Sequence, residues 1–278
     1  VQMFPDEYTA FKTYCQLYPE NAILLVDTYN VLKSGVPNAI RAFKEVLEPM
    51  GITKCGIRLD SGDLTYLSRK AREMLDEAGL TSCKIFASNA LDEYIIRDLV
   101  RQGARIDSFG VGERLITSRS EPVFGGVYKL VAIEDENGTI IPKIKISENA
   151  AKITTPHFKK IYRIFSKDTG KAEADLICLH DEEFDFTQPL ELFDPDATWK
   201  RKTYTGYEAK ELMVPIFLGG ELVYQVPGLQ ASRSYCQRQV DSLWDEVKRF
   251  ENPHNYYVDL SQKLWDIKQN LLNSHDMH

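Results

Sequence analysis

The first half of the chain alternates short apolar runs with helical patterns, and this alternation constrains the fold more than any other feature. In order along the chain, the apolar runs and the helical segments between them are 22–27, 37–50, 55–59, 63–78, 84–88, 91–101 and 105–109. A glycine follows each helical segment, at Gly51, Gly79 and Gly103, where glycine commonly ends a helix. Strands and helices that alternate with short connections predict a parallel sheet with right-handed crossovers.

Each predicted strand ends in a polar or glycine-rich group. These groups are Asp27-Thr28, Asp60-Ser61-Gly62-Asp63, Ser88-Asn89 and Gly110-Val111-Gly112. The carboxyl ends of parallel strands meet at one edge of the sheet, and that edge carries the active site in α/β barrels and open sheets. Because four separate strand ends agree, the sequence predicts one polar site at this edge.

The segment from Arg58 to Asp63 is the richest of these groups. Asp60 could accept hydrogen bonds from ribose hydroxyls, and Arg58 could bind a carboxylate or phosphate through two parallel hydrogen bonds. Gly62 would let the backbone approach a ligand closely. A Ser or Asp ahead of a helix is also a common N-cap, although capping does not account for Arg58. The residues alone leave both interpretations open.

The other strand-end groups are weaker signals. Gly110-Val111-Gly112 has the form of a turn that cradles phosphate with backbone N–H groups, but a plain turn has the same pattern. Asp27 and Thr28 could contact substrate or magnesium, or could cap a strand end. Ser88 and Asn89 are typical of a helix cap.

The second half of the chain has a different pattern. Turn signals at 136–138, 168–170 and 219–220 separate strand-like runs, so we expect three β-hairpins. Two helices should close the chain. The first would carry Val240, Leu243, Trp244 and Val247, and the second Leu260, Leu264, Ile267 and Leu271. We therefore expect an α/β domain over 1–125 and a hairpin-rich region over 126–278.

Composition excludes several classes of partner. The formal net charge of -7 argues against general nucleic-acid binding, which uses a basic surface. No apolar run approaches the roughly 20 residues that span a bilayer, so we expect no membrane partner. The five cysteines form no CxxC pair and the five histidines lack metal-ligand spacing. We expect reduced, mostly buried thiols in a cytoplasmic protein, and no protein metal ligands.

At these motifs the sequence resembles the nicotinate phosphoribosyltransferases. The resemblance covers nearly the whole chain, and its motifs occur in order at 25–29, 57–64, 86–89, 107–112 and 125–131. It implies a partial parallel α/β barrel of the type II phosphoribosyltransferase kind, with an antiparallel β appendage and C-terminal helices.

The resemblance also implies a reaction. Nicotinate would react with 5-phosphoribosyl pyrophosphate to give nicotinate mononucleotide and pyrophosphate, in NAD biosynthesis. Magnesium and ATP hydrolysis through a phosphorylated histidine would assist, in a homodimer. We expect that histidine upstream of Val1 in a Gly-Thr-x-Ala-His type motif, because none of the five histidines here lies in that context.

Residue by residue, the resemblance implies two catalytic aspartates and a substrate-binding set. Asp27 would lie at the reacting centre and Asp60 would face the ribose hydroxyls. The substrate-binding residues would be Arg58 near the nicotinate carboxylate, Ser61, Gly62 and Asp63 in the same turn, Ser88 and Asn89 near the sugar phosphate, and Gly110 and Gly112 at the 5'-phosphate. Glu113 stands where some family members have threonine, and an ionised carboxylate cannot donate to phosphate.

Two alternatives stay open at this point. The isolated chain could be an inactive fragment that binds only a phosphosugar or a partner subunit. It could also be an unrelated barrel enzyme of the aldolase type, which often uses a Schiff-base lysine at a strand end. None of the four strand-end groups contains lysine, which argues against that class.

Overall fold

The predicted parallel sheet is present in the computed structural model, which describes residues 1–123, 125–149 and 152–275. Four parallel strands lie in the order β1-β2-β3-β4. They are β1 Ile23–Leu25, β2 Gly56–Leu59, β3 Lys84–Ala87 and β4 Ser108–Phe109. In the described part of the chain, β1 and β4 each pair on one side only. The α/β class with a parallel sheet is therefore confirmed, while closure into a barrel stays a prediction.

Helices precede and separate these strands. They are α1 Glu7–Leu17, α2 Val36–Ala42, α3 Leu64–Glu77, α4 Glu93–Arg101 and the short α5 Glu113–Ile116. The helix predicted over 37–50 is longer than expected, because π-helical turns at Val31–Gly35 and Phe43–Leu47 and a 3-10 turn at Glu48–Met50 extend α2. Gly51 and Gly79 have φ of 72° and 82°, which lie in the left-handed region that favours glycine at helix ends.

The core of this part of the chain lies between the sheet and the helices. Ile57, Leu59 and Ile85 are fully buried and pack in one cluster with Phe43 and Leu75. Burying each such side chain contributes about 1.5–3 kcal/mol.

Two predicted details of this half were wrong. Met50, expected on the buried stripe of its helix, is 56% exposed because the 3-10 turn there leaves the α-helical period. The fourth strand covers only Ser108–Phe109 instead of 105–109. At Asp107 the side-chain Oδ2, rather than a backbone carbonyl, accepts the Ile85 N–H at 2.9 Å.

The second half contains a mixed sheet in the order β11-β7-β8-β14 and three separate hairpins. The sheet strands are β7 Lys159–Ser166, β8 Ala172–Leu179, β11 Tyr207–Glu211 and β14 Val258–Leu260. The hairpins are β5 Ala132–Glu134 with β6 Ile140–Pro142, β9 Leu190–Phe193 with β10 Arg201–Tyr204, and β12 Phe217–Leu218 with β13 Glu221–Leu222. The closing helices are α6 Leu229–Asp241 and α7 Gln262–His275.

All three predicted hairpins are present, but both closing helices were placed wrongly. Leu243, Trp244 and Val247 lie beyond the end of α6 at Asp241. The Trp244 ring instead lies 5.9–6.3 Å from the rings of His254, Tyr256 and Tyr257, so it packs in an aromatic cluster. Leu260 belongs to β14, which pairs in parallel with β8.

By its internal contacts the chain divides into two compact units, Val1–Gly126 and Val127–His278. The roles assigned to residues 1–125 and 126–278 remain predictions. Four cysteines, Cys15, Cys55, Cys83 and Cys178, are buried free thiols, and Cys236 is an exposed one. Among the described residues, none of the helices combines the length and the apolar character needed to cross a membrane.

Candidate active site

A cavity of about 1330 Å³ follows the parallel sheet and reaches the carboxyl ends of all four strands. Its lining includes six of the residues predicted from the sequence. These are Asp27, Arg58, Asp60, Ser61, Ser88 and Gly110. The structure thus brings together side chains from four strand ends, as expected of a parallel sheet.

Asp27 connects the end of β1 to the end of β2. Its Oδ2 accepts a hydrogen bond from the Asp60 backbone N–H at 2.9 Å and another from the Ser61 Oγ at 2.7 Å. A carboxylate that accepts from both groups holds the turn after β2 in place, since hydrogen bonds to a charged acceptor are the stronger kind.

Asp60 makes the corresponding link from β2 to β3. Its Oδ1 accepts a hydrogen bond from the Ser88 Oγ. Asp27, Ser61, Asp60 and Ser88 therefore form one polar network across three neighbouring strand ends. The network leaves Asp27 Oδ1 and Asp60 Oδ2 without a hydrogen-bond donor among the described residues.

The helix after β2 is capped by a different residue. Asp63 Oδ1 accepts the Tyr66 N–H at 3.0 Å, which is the N-cap of α3. The capping interpretation therefore applies to Asp63 and not to Asp60. Asp60 is held by Ser88 and faces the cavity, where its remaining oxygen can meet a ligand.

Arg58 supplies the positive charge at this edge. Its side chain is exposed, lines the cavity, and forms no hydrogen bond or ion pair with any residue that the structure describes. A guanidinium without a protein partner can bind a carboxylate or phosphate through two parallel hydrogen bonds. The site thus pairs one free cation with two partly satisfied carboxylates.

Four predicted site residues do not line the cavity: Gly62, Asp63, Asn89 and Gly112. Gly62 has φ of 78°, so its turn favours glycine for conformational reasons. Asn89 accepts the Ala90 N–H through its own Oδ1 at 2.7 Å. Gly112 precedes α5, and Glu113 is the first residue of that four-residue helix. No part of this geometry tests the ligand roles predicted for these residues.

The sequence analysis missed the contribution of α1 and of two further polar residues. Phe11, Thr13 and Tyr14 of α1 line the cavity, as do Thr28 and Ser108. A local signal for this helix exists, because Asp6 is an N-cap whose Oδ1 accepts the Thr9 N–H at 2.7 Å. The apolar wall from α1 gives the cavity an aromatic side as well as a polar one.

The site fits a magnesium ion that is held mainly by its substrate. Among the described residues, no group of three or more His, Cys, Asp or Glu side chains is placed to hold a metal. Magnesium usually keeps several waters and binds one or two carboxylates together with substrate phosphates. Asp27 Oδ1 and Asp60 Oδ2 match that requirement, since neither accepts a hydrogen bond in the described structure.

Comparison with known proteins gives consistent matches. A family model described as the nicotinate phosphoribosyltransferase C-terminal domain matches residues 158–268. The nicotinate phosphoribosyltransferase of Bacillus subtilis (strain 168) is 48% identical over 268 residues, which make up 96% of this chain and 54% of that protein.

Two solved structures also match. The crystal structure of human nicotinic acid phosphoribosyltransferase has a TM-score of 0.66 and 27% identity, and the match covers 96% of this chain and 49% of that one. The nicotinate-nucleotide pyrophosphorylase from Pyrococcus furiosus has a TM-score of 0.52 at 23% identity, covering 86% of this chain and 51% of that one, and supports the fold alone.

The matches agree on one family and on one extent. The chain spans about half the length of the curated relatives it matches. The motifs that suggested the resemblance lie in the cavity-forming half, and the family model lies in the other half. The chain is therefore a homologue of the nicotinate phosphoribosyltransferases, and residues 158–268 correspond to their C-terminal domain.

Proposed function

We propose that the protein to which this chain belongs is a nicotinate phosphoribosyltransferase that forms nicotinate mononucleotide for NAD biosynthesis. The observation that carries the proposal is the network of Asp27, Ser61, Asp60 and Ser88 beside the free Arg58, at the carboxyl edge of a parallel sheet. Relatives up to 48% identical carry the same name. The proposal includes a type II phosphoribosyltransferase barrel, completed by chain beyond the four described strands.

In the proposed reaction, the ring nitrogen of nicotinate forms a bond to the anomeric carbon of 5-phosphoribosyl pyrophosphate. The bond from that carbon to the pyrophosphate oxygen breaks, and its electron pair leaves with pyrophosphate. Positive charge develops on the sugar ring, as in other glycosyl transfers. A carboxylate already fixed in position stabilises such charge without reorganisation, and Asp60 is fixed in this way by Ser88.

The remaining residues orient the substrates. Arg58 would bind the nicotinate carboxylate through two hydrogen bonds, which places the ring against the sugar. Asp27 would hold Asp60 and Ser61 in register through its two hydrogen bonds. Ser88, Asn89, Gly110 and Gly112 would lie near the sugar phosphate.

Magnesium would neutralise the departing pyrophosphate, and Asp27 and Asp60 are the residues that would meet it. The proposal further holds that ATP hydrolysis through a phosphorylated histidine drives the reaction. It also holds that the enzyme works as a homodimer in the cytoplasm. ATP use has its own test, which is the dependence of product yield on ATP.

The test of the proposal is an assay of the full-length protein with nicotinate, 5-phosphoribosyl pyrophosphate, ATP and magnesium, followed by chromatography of the nucleotides. We expect nicotinate mononucleotide and pyrophosphate in equal amounts. Product from nicotinamide and none from nicotinate would refute the substrate assignment. Product that is unchanged when ATP is omitted would refute the ATP coupling and leave the transferase assignment standing.

A further inference from the structure

A second cavity, of about 1030 Å³, lies within the unit Val127–His278. Its walls come from the β9–β10 hairpin, from residues 252–257 and from β14. The cavity belongs wholly to the C-terminal unit and shares no lining residue with the candidate active site. Its chemistry can therefore be considered separately from the proposed reaction.

Asp259 is the first indication that this cavity has a ligand. It lies on the edge strand β14, lines the cavity, and is only 6% exposed. Its carboxylate accepts no hydrogen bond and forms no ion pair with any described residue. A buried carboxylate without a partner costs several kcal/mol, so such groups are normally paired.

Tyr204, at the end of β10, is the second indication. It is 5% exposed and lines the same cavity, and its hydroxyl has no hydrogen-bond partner in the described part of the chain. Two nearly buried polar groups on different elements thus face one cavity without partners. One ligand group that contacts both would satisfy them together.

The charges around Asp259 favour a cation. Burial raises the pKa of Asp259 to about 6, and the neighbouring Asp194 carboxylate adds to the rise. The three cations that line the cavity each have another partner. Lys200 lies 3.8 Å from Asp194, Arg201 lies 2.7 Å from Glu191, and Lys202 lies 2.6 Å from Glu173.

The other walls of the cavity are aromatic. Tyr256 and Tyr257 line it, and both pack against Trp244. The Tyr256 hydroxyl donates to Asp175, so this ring is held in a fixed orientation. Aromatic faces attract cations and also bury flat apolar groups.

We propose that this cavity is a second ligand site, which binds a small organic cation with a protonated amine and a flat apolar body. The ammonium donates hydrogen bonds to the Asp259 carboxylate and to the Tyr204 hydroxyl oxygen. The apolar body lies against the tyrosines. A divalent metal fits less well, because the described residues offer no group of three or more metal-ligating side chains.

The test uses three probes with the same ring and different charge: benzylamine, benzyl alcohol and benzoate. Each is titrated into the full-length protein at pH 7.5, where Asp259 is ionised, and binding is followed by the fluorescence of the nearby Trp244. We expect saturable binding of benzylamine and at least about 10-fold weaker binding of benzyl alcohol, because a charge-assisted hydrogen bond is lost. Benzoate should not bind.

Two variants make the result specific. Asp259→Asn keeps the shape of the side chain and should weaken benzylamine binding by about 10-fold or more. Asp196→Asn removes an exposed carboxylate from the same cavity and should leave the binding within about twofold, as expected for an exposed charge. Tyr204→Phe should weaken benzylamine less than Asp259→Asn does, and it serves as a second probe if Asp259→Asn fails to fold.

Equal binding of benzylamine and benzyl alcohol would overturn the proposal. So would binding of benzylamine that is unchanged in both Asp259→Asn and Tyr204→Phe, or a cavity that no probe enters in the full-length protein. None of these outcomes depends on whether the protein makes nicotinate mononucleotide, so failure here and failure of the proposed function are distinguishable.

Discussion

Removing the buried charge of Asp259 should stabilise the C-terminal unit near neutral pH. Burial and the neighbouring Asp194 raise the pKa of Asp259 from its ordinary value of 3.8 to about 6. A tenfold change in proton affinity corresponds to about 1.4 kcal/mol, so ionised Asp259 destabilises the folded state by about 3 kcal/mol. Asp259→Asn removes this term but buries an amide whose donors lack partners, which costs about 1–2 kcal/mol.

The sign of the pH dependence follows from the raised pKa. The folded state holds the Asp259 proton more tightly than the unfolded state. The wild-type protein should therefore lose up to about 3 kcal/mol from this residue as the pH rises from about 4 to about 6. Above pH 6 the loss is complete. Asp259→Asn should lack this loss, so it should be more stable than wild type at pH 7.5 and equal or less stable at pH 4.

The assay is urea unfolding of both proteins at pH 4, 5, 6 and 7.5, followed by tryptophan fluorescence. Trp199, Trp244 and Trp265 are the three tryptophans of the chain, and all lie in the C-terminal unit. Subtracting the two unfolding free energies cancels the titration of every other carboxylate. A difference between wild type and variant that stays constant from pH 4 to pH 7.5 would refute the reasoning.

Three further changes should separate structural from functional residues. Asp63→Ala removes the N-cap of α3 and should cost about 1 kcal/mol in urea unfolding, with kcat of the full-length enzyme within about twofold; a large loss of kcat would contradict the capping role. Gly35→Ala would place a Cβ 1.8 Å from the Val26 carbonyl oxygen and should destabilise by more than about 3 kcal/mol; a thermal midpoint equal to wild type would contradict the packing. Arg58→Lys keeps the charge but loses the fork of two donors, so KM for nicotinate should rise about 10-fold, and an unchanged KM would place nicotinate elsewhere.

Local patterns explain why so much of the first unit could be predicted from the sequence. Strands β1 to β3 are short apolar runs bounded by glycines or caps, and such signals act over a few residues. Asp63 and Gly79 begin and end α3 where capping chemistry places them. Because parallel strand ends share one edge, the proximity of Asp27, Asp60 and Ser88 also followed from the strand order.

Features that depend on distant contacts could not be predicted in this way. Strand β14 pairs with β8, more than 80 positions earlier in the chain, and no local pattern marks such a pairing. Its three residues are followed at once by α7, so Leu260 appeared to belong to that helix. The unpartnered state of Asp259 is a property of the packed β9–β10 hairpin and of β14, and a single aspartate in a sequence gives no sign of it.

The most direct test of the central claim compares Asp60→Asn with the wild-type full-length enzyme in turnover and in stability. The amide can still accept the Ser88 hydrogen bond, so the free energy of unfolding should change by less than about 1 kcal/mol. The lost charge should lower kcat by about 100-fold or more if Asp60 stabilises the reacting sugar. A kcat within a few-fold of wild type, or a loss of activity that unfolding fully explains, would contradict the assignment of this strand-end network as the catalytic centre.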